Sequence, residues 1–192
     1  MIRILLTLLL LFPLVAPARQ ARQERELICT LTSTDGHGGN FAWKMKRADE
    51  VRIPAEQIAS ERIDTRDWMP AVVPGTVLNS LVYNGVYPEP YYGLNNKLES
   101  GLIPDIYRVG RDFYTYWFRT QFRLDREAYA GKKIWLQADG MNYRAEILLN
   151  GSLVGSTAGM FRQRVLRITD KVACAAGNTL AVTVRAGSLP GR

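Results

Sequence analysis

Tyr114-Thr115-Tyr116-Trp117-Phe118-Arg119-Thr120-Gln121-Phe122-Arg123 decides the fold class. Tyr114, Tyr116, Phe118, Thr120 and Phe122 fall on one side of an extended chain. Thr115, Trp117, Arg119, Gln121 and Arg123 fall on the other, the period of two that marks a half-buried strand. Downstream the pattern recurs in Ile134, Leu136 and Ala138, and again in Tyr143, Ala145, Ile147 and Leu149. Asn150-Gly151 follows, a pair that adopts the positive φ angles of a tight hairpin turn. Arg164 to Ile168 reads as another strand, and Leu180, Val182 and Val184 as the last one visible. Upstream, helical stretches are short. Pro54 to Ser60 starts with proline, and Thr76 to Tyr83 is capped by Thr76 and ended by Asn84-Gly85. Between them, Pro70 and Pro74 in Asp67 to Thr76 forbid a regular element. Leu27 to Thr34 is β-prone and leads into a Gly-rich loop, Asp35 to Asn40. Short strands joined by turns, with helices confined to the first half, predict an all-β, antiparallel sandwich or jelly roll.

The N-terminus has a different character. Arg3, the apolar run Ile4 to Phe12 and Ala16-Pro17-Ala18 make a charged start, a hydrophobic core and a small-residue cleavage site, so residues 1–18 read as a secretory signal peptide. The run is well short of the roughly 20 residues that span a bilayer, so no membrane association is expected after cleavage. A secreted or periplasmic product follows. Residues 19–40 read as a linker, charged from Ala21 to Glu26, and a first strand region. Export permits a disulfide between Cys29 and Cys174, and spacing alone leaves it open against two isolated buried thiols.

The net charge of +7 raises the question of nucleic acid or acidic polysaccharide. The bases are scattered, however. Arg108, Arg111, Arg119, Arg123, Arg144, Arg162, Arg164 and Arg167 alternate with apolar or acidic residues, as on solvated strand faces, and no nucleic-acid partner is expected.

No catalytic machinery is visible. The one histidine, His37, lies in the Gly-rich loop. Two cysteines and one histidine cannot close a zinc site at ordinary spacing, and there is neither a phosphate-binding loop nor a nucleophile elbow. No metal or other cofactor is implied. Sugar hydrolysis uses two carboxylates about 5–9 Å apart. The candidates Glu89, Glu99, Asp105, Asp139 and Glu146 stand in settings that mark none of them. The expectation is that no catalytic residue lies in this chain.

Tyr87-Pro88-Glu89-Pro90-Tyr91-Tyr92-Gly93-Leu94-Asn95-Asn96-Lys97 suggests binding instead. Prolines and glycine shape the loop, and it gathers three tyrosines, two amides and a base. Aromatic faces cover the C–H patches of a sugar ring while amides and charges bond its hydroxyls. A loop packed on its own tyrosines is the competing explanation.

Four blocks in one order then resemble the galactose-binding-like N-terminal domain of family 2 glycoside hydrolases, in the β-mannosidase and exo-β-glucosaminidase branch. They are Trp68 to Val77, Pro88 to Asn96, Tyr116 to Phe122 and Gly140 to Gly151, with Gly159-Met160-Phe161-Arg162 as a fifth, and the likeness spans Phe41 to Gly191. The resemblance implies a jelly-roll domain over residues 41–192 that buttresses an Ig-like domain and a (β/α)₈ barrel bearing two catalytic glutamates, neither of which is in this sequence. It also implies a Trp-rich closing strand after Pro190-Gly191, so the sandwich is expected to lack its last strands. Family loops of this domain help to shape the subsite for the non-reducing-end sugar. By position Asn95 and Asn96 would bind hydroxyls, with Tyr91 or Tyr92 as a wall. Trp68 and Trp117 would fill the core, and Arg119 and Glu146 would pair or face solvent. Asn150-Gly151-Ser152 matches a glycosylation acceptor, although the turn accounts for it. The function implied is the sugar-binding scaffold of an exo-β-glycosidase, with galactoside, mannoside, glucosaminide and glucuronide all open. A stand-alone carbohydrate-binding module and a non-functional truncated remnant are the alternatives.

Overall fold

The computed structural model describes residues 28–33, 41–174 and 176–187. The signal segment, the charged linker, the loop holding His37 and Pro190-Gly191 lie outside the described residues.

The decisive stretch forms β3 (Tyr116–Arg123), and the other strands assemble around it. They are β1 (Lys44–Arg47), β2 (Met69–Pro70), β4 (Trp135–Ala138), β5 (Arg144–Leu149), β6 (Ser152–Ala158), β7 (Arg164–Arg167) and β8 (Gly177–Arg185). Six of them make an antiparallel sheet in the order β2-β1-β3-β8-β5-β6, and β4 pairs with β7 in a second, two-stranded sheet. The last strand, β8, inserts between β3 and β5. Phe118 faces Val182 on one side, and Ile147 faces Val182 on the other.

Alternation along these strands sorts the side chains into two cores. Met45, Phe118, Phe122, Ile147, Leu149, Leu180 and Val182 point to one face, where Leu136 of β4 and Leu166 of β7 pack over them. Each such buried aliphatic contributes roughly 1.5–3 kcal/mol. Trp117, Leu148 and Ala181 point the other way, onto Ile58, Ala59 and Trp68. Both tryptophans, Trp68 and Trp117, therefore fill core as expected. This is the all-β sandwich that the strand periodicity requires.

The second core corrects the expectation of a half-buried β3. A cover made of α1 (Ala55–Ile58) and its flanks lies over the face that was read as solvated. Arg119 neither faces solvent nor pairs with a carboxylate: it is 5% exposed, and its Nε and Nη2 donate to Ile58 O at 3.1 Å and Ser60 O at 2.9 Å. A one-turn helix leaves its last carbonyls without partners, and the guanidinium fork supplies both donors and a favourable charge at that end. Glu146 is exposed on β5, as read from sequence.

Two further readings change. Residues 28–33 form no extended strand. Ser33 makes an isolated bridge with Phe41 and exchanges bonds with Val73, and Trp43 Nε1 donates to Leu31 O at 3.0 Å. Met69–Pro70, placed in a segment expected to be irregular, pairs with β1 as the sheet's edge, a position where proline's missing donor is tolerated. Cys29 and Cys174 are free thiols, but not buried ones: Cys29 is exposed and Cys174 half-buried.

The local signals of the first half hold. Thr76 Oγ1 accepts from Asn79 N at 2.9 Å to start α2 (Val77–Tyr83), and Gly85 follows its end with φ of 70°. Asn150 and Gly151 join β5 to β6 with φ of 50° and 79°. Two one-turn helices, α3 (Ile106–Val109) and α4 (Arg126–Tyr129), carried no clear periodic signal and are capped by Asp105 and Asp125.

Candidate functional site

The segment between α2 and β3 carries the expected sugar-facing residues. Its base is fastened to the sandwich at two points. Tyr87 packs against the main core, and burial pushes its phenol upward. Tyr114 lies edge-on to Phe113, and its hydroxyl donates to Pro104 O. Of the three tyrosines that mark the loop in the sequence, Tyr87 thus serves as an anchor.

Beyond Tyr87 the backbone runs through successive turns. Tyr92 N donates to Glu89 O at 3.2 Å, Asn95 N to Tyr92 O at 3.2 Å and Lys97 N to Leu94 O at 2.9 Å. Gly93, with φ of 56°, makes the reversal that a β-carbon would strain. Side chains close the loop on itself. Asn95 Nδ2 donates to Glu89 O at 2.9 Å, Glu89 Oε1 accepts from Tyr91 N at 3.3 Å, and Ser100 Oγ donates to Asn95 O at 3.1 Å.

These bonds hold the loop without using its aromatic rings. Tyr91 is 91% exposed and Tyr92 77%. A loop packed on its own tyrosines is thereby ruled out for this pair. The four expected residues lie within six positions on one loop, but they differ in role. Asn96 is exposed, whereas Asn95 is half-buried with its amide nitrogen committed to Glu89. Beside them Leu94, Lys97, Glu99 and Ser100 line a shallow, open hollow. Lys97 was legible as the loop's base. Ser100 carried no signal, because its part depends on how the turns fold back.

Three of the five candidate carboxylates have structural work. Glu89 holds Tyr91 N, Asp105 accepts from Tyr107 N at 2.7 Å, and Asp139 Oδ1 receives Gln137 Nε2 at 2.8 Å and Gln163 Nε2 at 3.0 Å. Those two amide donors hold the Asp139 carboxyl below its usual range. Among the described residues there is no group of three or more His, Cys, Asp or Glu able to hold a metal ion, and no helix long and apolar enough to cross a membrane.

Comparison with known proteins places these features. The chain is 37% identical over 153 residues to a mannosylglycoprotein endo-β-mannosidase of Lilium longiflorum, covering 78% of this chain and 15% of that protein. It is 32% identical over 105 residues to a β-mannosidase of Rattus norvegicus, covering 54% of this chain and 11% of that one. Among solved structures, an exo-chitosanase of Amycolatopsis orientalis superposes with a TM-score of 0.62 at 21% identity, covering 79% of this chain and 17% of the other. A β-mannosidase of Dictyoglomus thermophilum gives 0.53 at 24%, over 74% and 14%. The chain thus spans between a tenth and a fifth of the length of these proteins. Residues 43–191 match the family model described as the glycosyl hydrolase 2 galactose-binding domain-like domain, and the chain belongs to that family.

Proposed function

We propose that these residues form the scaffold domain of an exported β-glycoside hydrolase of the β-mannosidase or β-glucosaminidase type. The domain has no turnover of its own; its 91–96 loop helps to enclose the sugar bound by a catalytic barrel, with an Ig-like domain as a further partner. One observation carries the loop's assignment: Tyr91 and Tyr92 stand in solvent on a loop whose backbone is locked by its own bonds and anchored through Tyr87 and Tyr114. A backbone already held in place costs little further ordering on binding, and exposed aromatic rings carried on it suit a wall against a sugar ring face. The names of similar proteins support a β-mannoside or β-glucosaminide as substrate. They include both endo and exo action, so the choice between the two is assigned to the barrel. Export rests on the N-terminal signal.

Hydrolysis of 4-nitrophenyl β-mannoside and β-glucosaminide tests the division of labour. The 192-residue chain by itself is expected to give only the uncatalysed rate. Turnover by this chain at an ordinary enzymatic rate would overturn the proposal.

The exposure of Tyr91 and Tyr92 also favours a second reading, a binding module acting alone. Calorimetric titration of the isolated chain with mannose and glucosamine oligosaccharides separates the two. Saturable millimolar or tighter binding supports the module, and flat heats support a loop that binds only with its barrel.

A further inference from the structure

The Asn150-Gly151 turn is held by far more than a two-residue hairpin requires. Asn150 Nδ2 donates to Lys171 O at 2.9 Å and to Asn178 Oδ1 at 2.8 Å, while its Oδ1 accepts from Thr179 N at 2.8 Å. Gly151 N donates to Ala59 O at 3.0 Å, which ties the turn to the cover of the second core. Asn178 is fully buried, and its own amide is fixed by Ala173 N at 2.7 Å and Ala173 O at 2.8 Å. Asn150 itself remains exposed, so water reaches it freely.

Asn-Gly is a chemically labile dipeptide, because glycine leaves its nitrogen unhindered. The Gly151 nitrogen bonds to Asn150 Cγ and gives up its proton, the Cγ–Nδ2 bond breaks, and ammonia departs with that proton. The resulting five-membered imide adds water and opens to aspartate or isoaspartate. In the folded chain every participant is engaged: the attacking nitrogen by Ala59, the leaving nitrogen by Lys171 and Asn178, the side-chain oxygen by Thr179.

We propose that Asn150-Gly151 is a latent deamidation site that the fold keeps shut, so that Asn150 is converted when the β5–β6 turn opens, and conversion then opposes its closing. Aspartate at 150 would set a carboxylate oxygen against Lys171 O and Asn178 Oδ1, three acceptors with no donor among them. Isoaspartate would add a main-chain atom inside a turn that pairs Leu149 with Ser152.

The measurement is peptide mass spectrometry of the 192-residue chain aged at mildly alkaline pH, with and without urea. Trypsin releases residues 145–162, in which Asn150 is the one asparagine and glutamine is absent, so a mass gain there reports this site alone. Reaction in the native chain is expected to be slower than in urea by about 100-fold or more, since it must wait for local opening. A native rate within about threefold of the urea rate would overturn the lock. The second half is read from Asn150→Asp, which is expected to melt at least about 4 °C below the parent chain or to fail to fold. An unchanged melting temperature would overturn it. Asn178→Ala adds a site-specific check: in chains still folded by circular dichroism it accelerates conversion of Asn150 and leaves Asn84-Gly85, held separately through Ser80 O and Pro70 O, unaltered. Equal acceleration at both sites would mean that general loosening, not the Asn178 contact, governs the rate, which contradicts the proposal.

Discussion

Arg119 on β3 donates Nε–H to the carbonyl of Ile58 at 3.1 Å, joining the central strand to the end of a one-turn helix 61 residues earlier. The pairing fixes the cover over the second core, and burial lowers the pKa of the guanidinium, partly offset by the charge of Glu61. Arg119→Met removes both donors and leaves the carbonyls of Ile58 and Ser60 without them. The expected cost is about 2–4 kcal/mol. Arg119→Lys recovers only part of it, because one ammonium lacks the planar fork. Urea unfolding of the three chains checks the order.

Gly155 on β6 lies directly against Leu166 of β7 in the second sheet. A β-carbon there would stand 2.7 Å from Leu166 Cδ1 and 2.8 Å from Cδ2. Gly155→Ala is expected to destabilise by about 1–3 kcal/mol, as overpacking does. Trimming the opposing side chain with Leu166→Val in the same chain relieves part of that loss. Thermal melts of the single and double variants decide it, and additive effects would mean that the two positions do not touch.

Alkaline pH weakens the fold through Tyr114. Burial raises its phenol from 10 to about 12, so the folded chain holds this proton more tightly than the unfolded chain. Its contribution is complete below pH 10 and falls away as pH rises from 10 towards 12. Burial pushes Tyr87, Tyr116 and Tyr129 in the same direction. Tyr114→Phe, lacking the bond to Pro104 O, is expected to be less stable at neutral pH yet to lose stability less steeply above pH 10. Urea midpoints across that range measure both effects.

The exposed loop gives a functional prediction. Tyr92→Ala and Asn96→Ala touch no core, so melting temperatures are expected to stay within experimental scatter. In the enzyme that carries this domain, each is expected to raise KM for a β-mannoside or β-glucosaminide on the order of tenfold, the weight of one aromatic or hydrogen-bonded contact. Asn95→Ala is expected to affect stability too, through the loss of its bond to Glu89 O. Steady-state kinetics beside melting curves distinguishes the two amides.

How far the fold was legible follows from which signals are local. The alternation in β3, β5 and β8, the Thr76 cap and the Asn150-Gly151 turn depend on neighbours in sequence, and each stands where it was read. Lys44–Arg47 was missed because a single inward residue, Met45, sits among three cations. Arg119 was misread because period two assigns a residue to a face without telling what covers that face, and its partners lie about 60 residues away. In the site, composition located the loop, but the division between Tyr87 as anchor and Tyr91 and Tyr92 as exposed rings depends on long-range packing.

The most direct test of the account is to read the coding DNA past the codon for Arg192. A scaffold domain of a β-glycoside hydrolase predicts an uninterrupted frame that encodes a closing strand, an Ig-like domain and a barrel carrying two glutamates. A verified stop codon directly after Arg192 would contradict it.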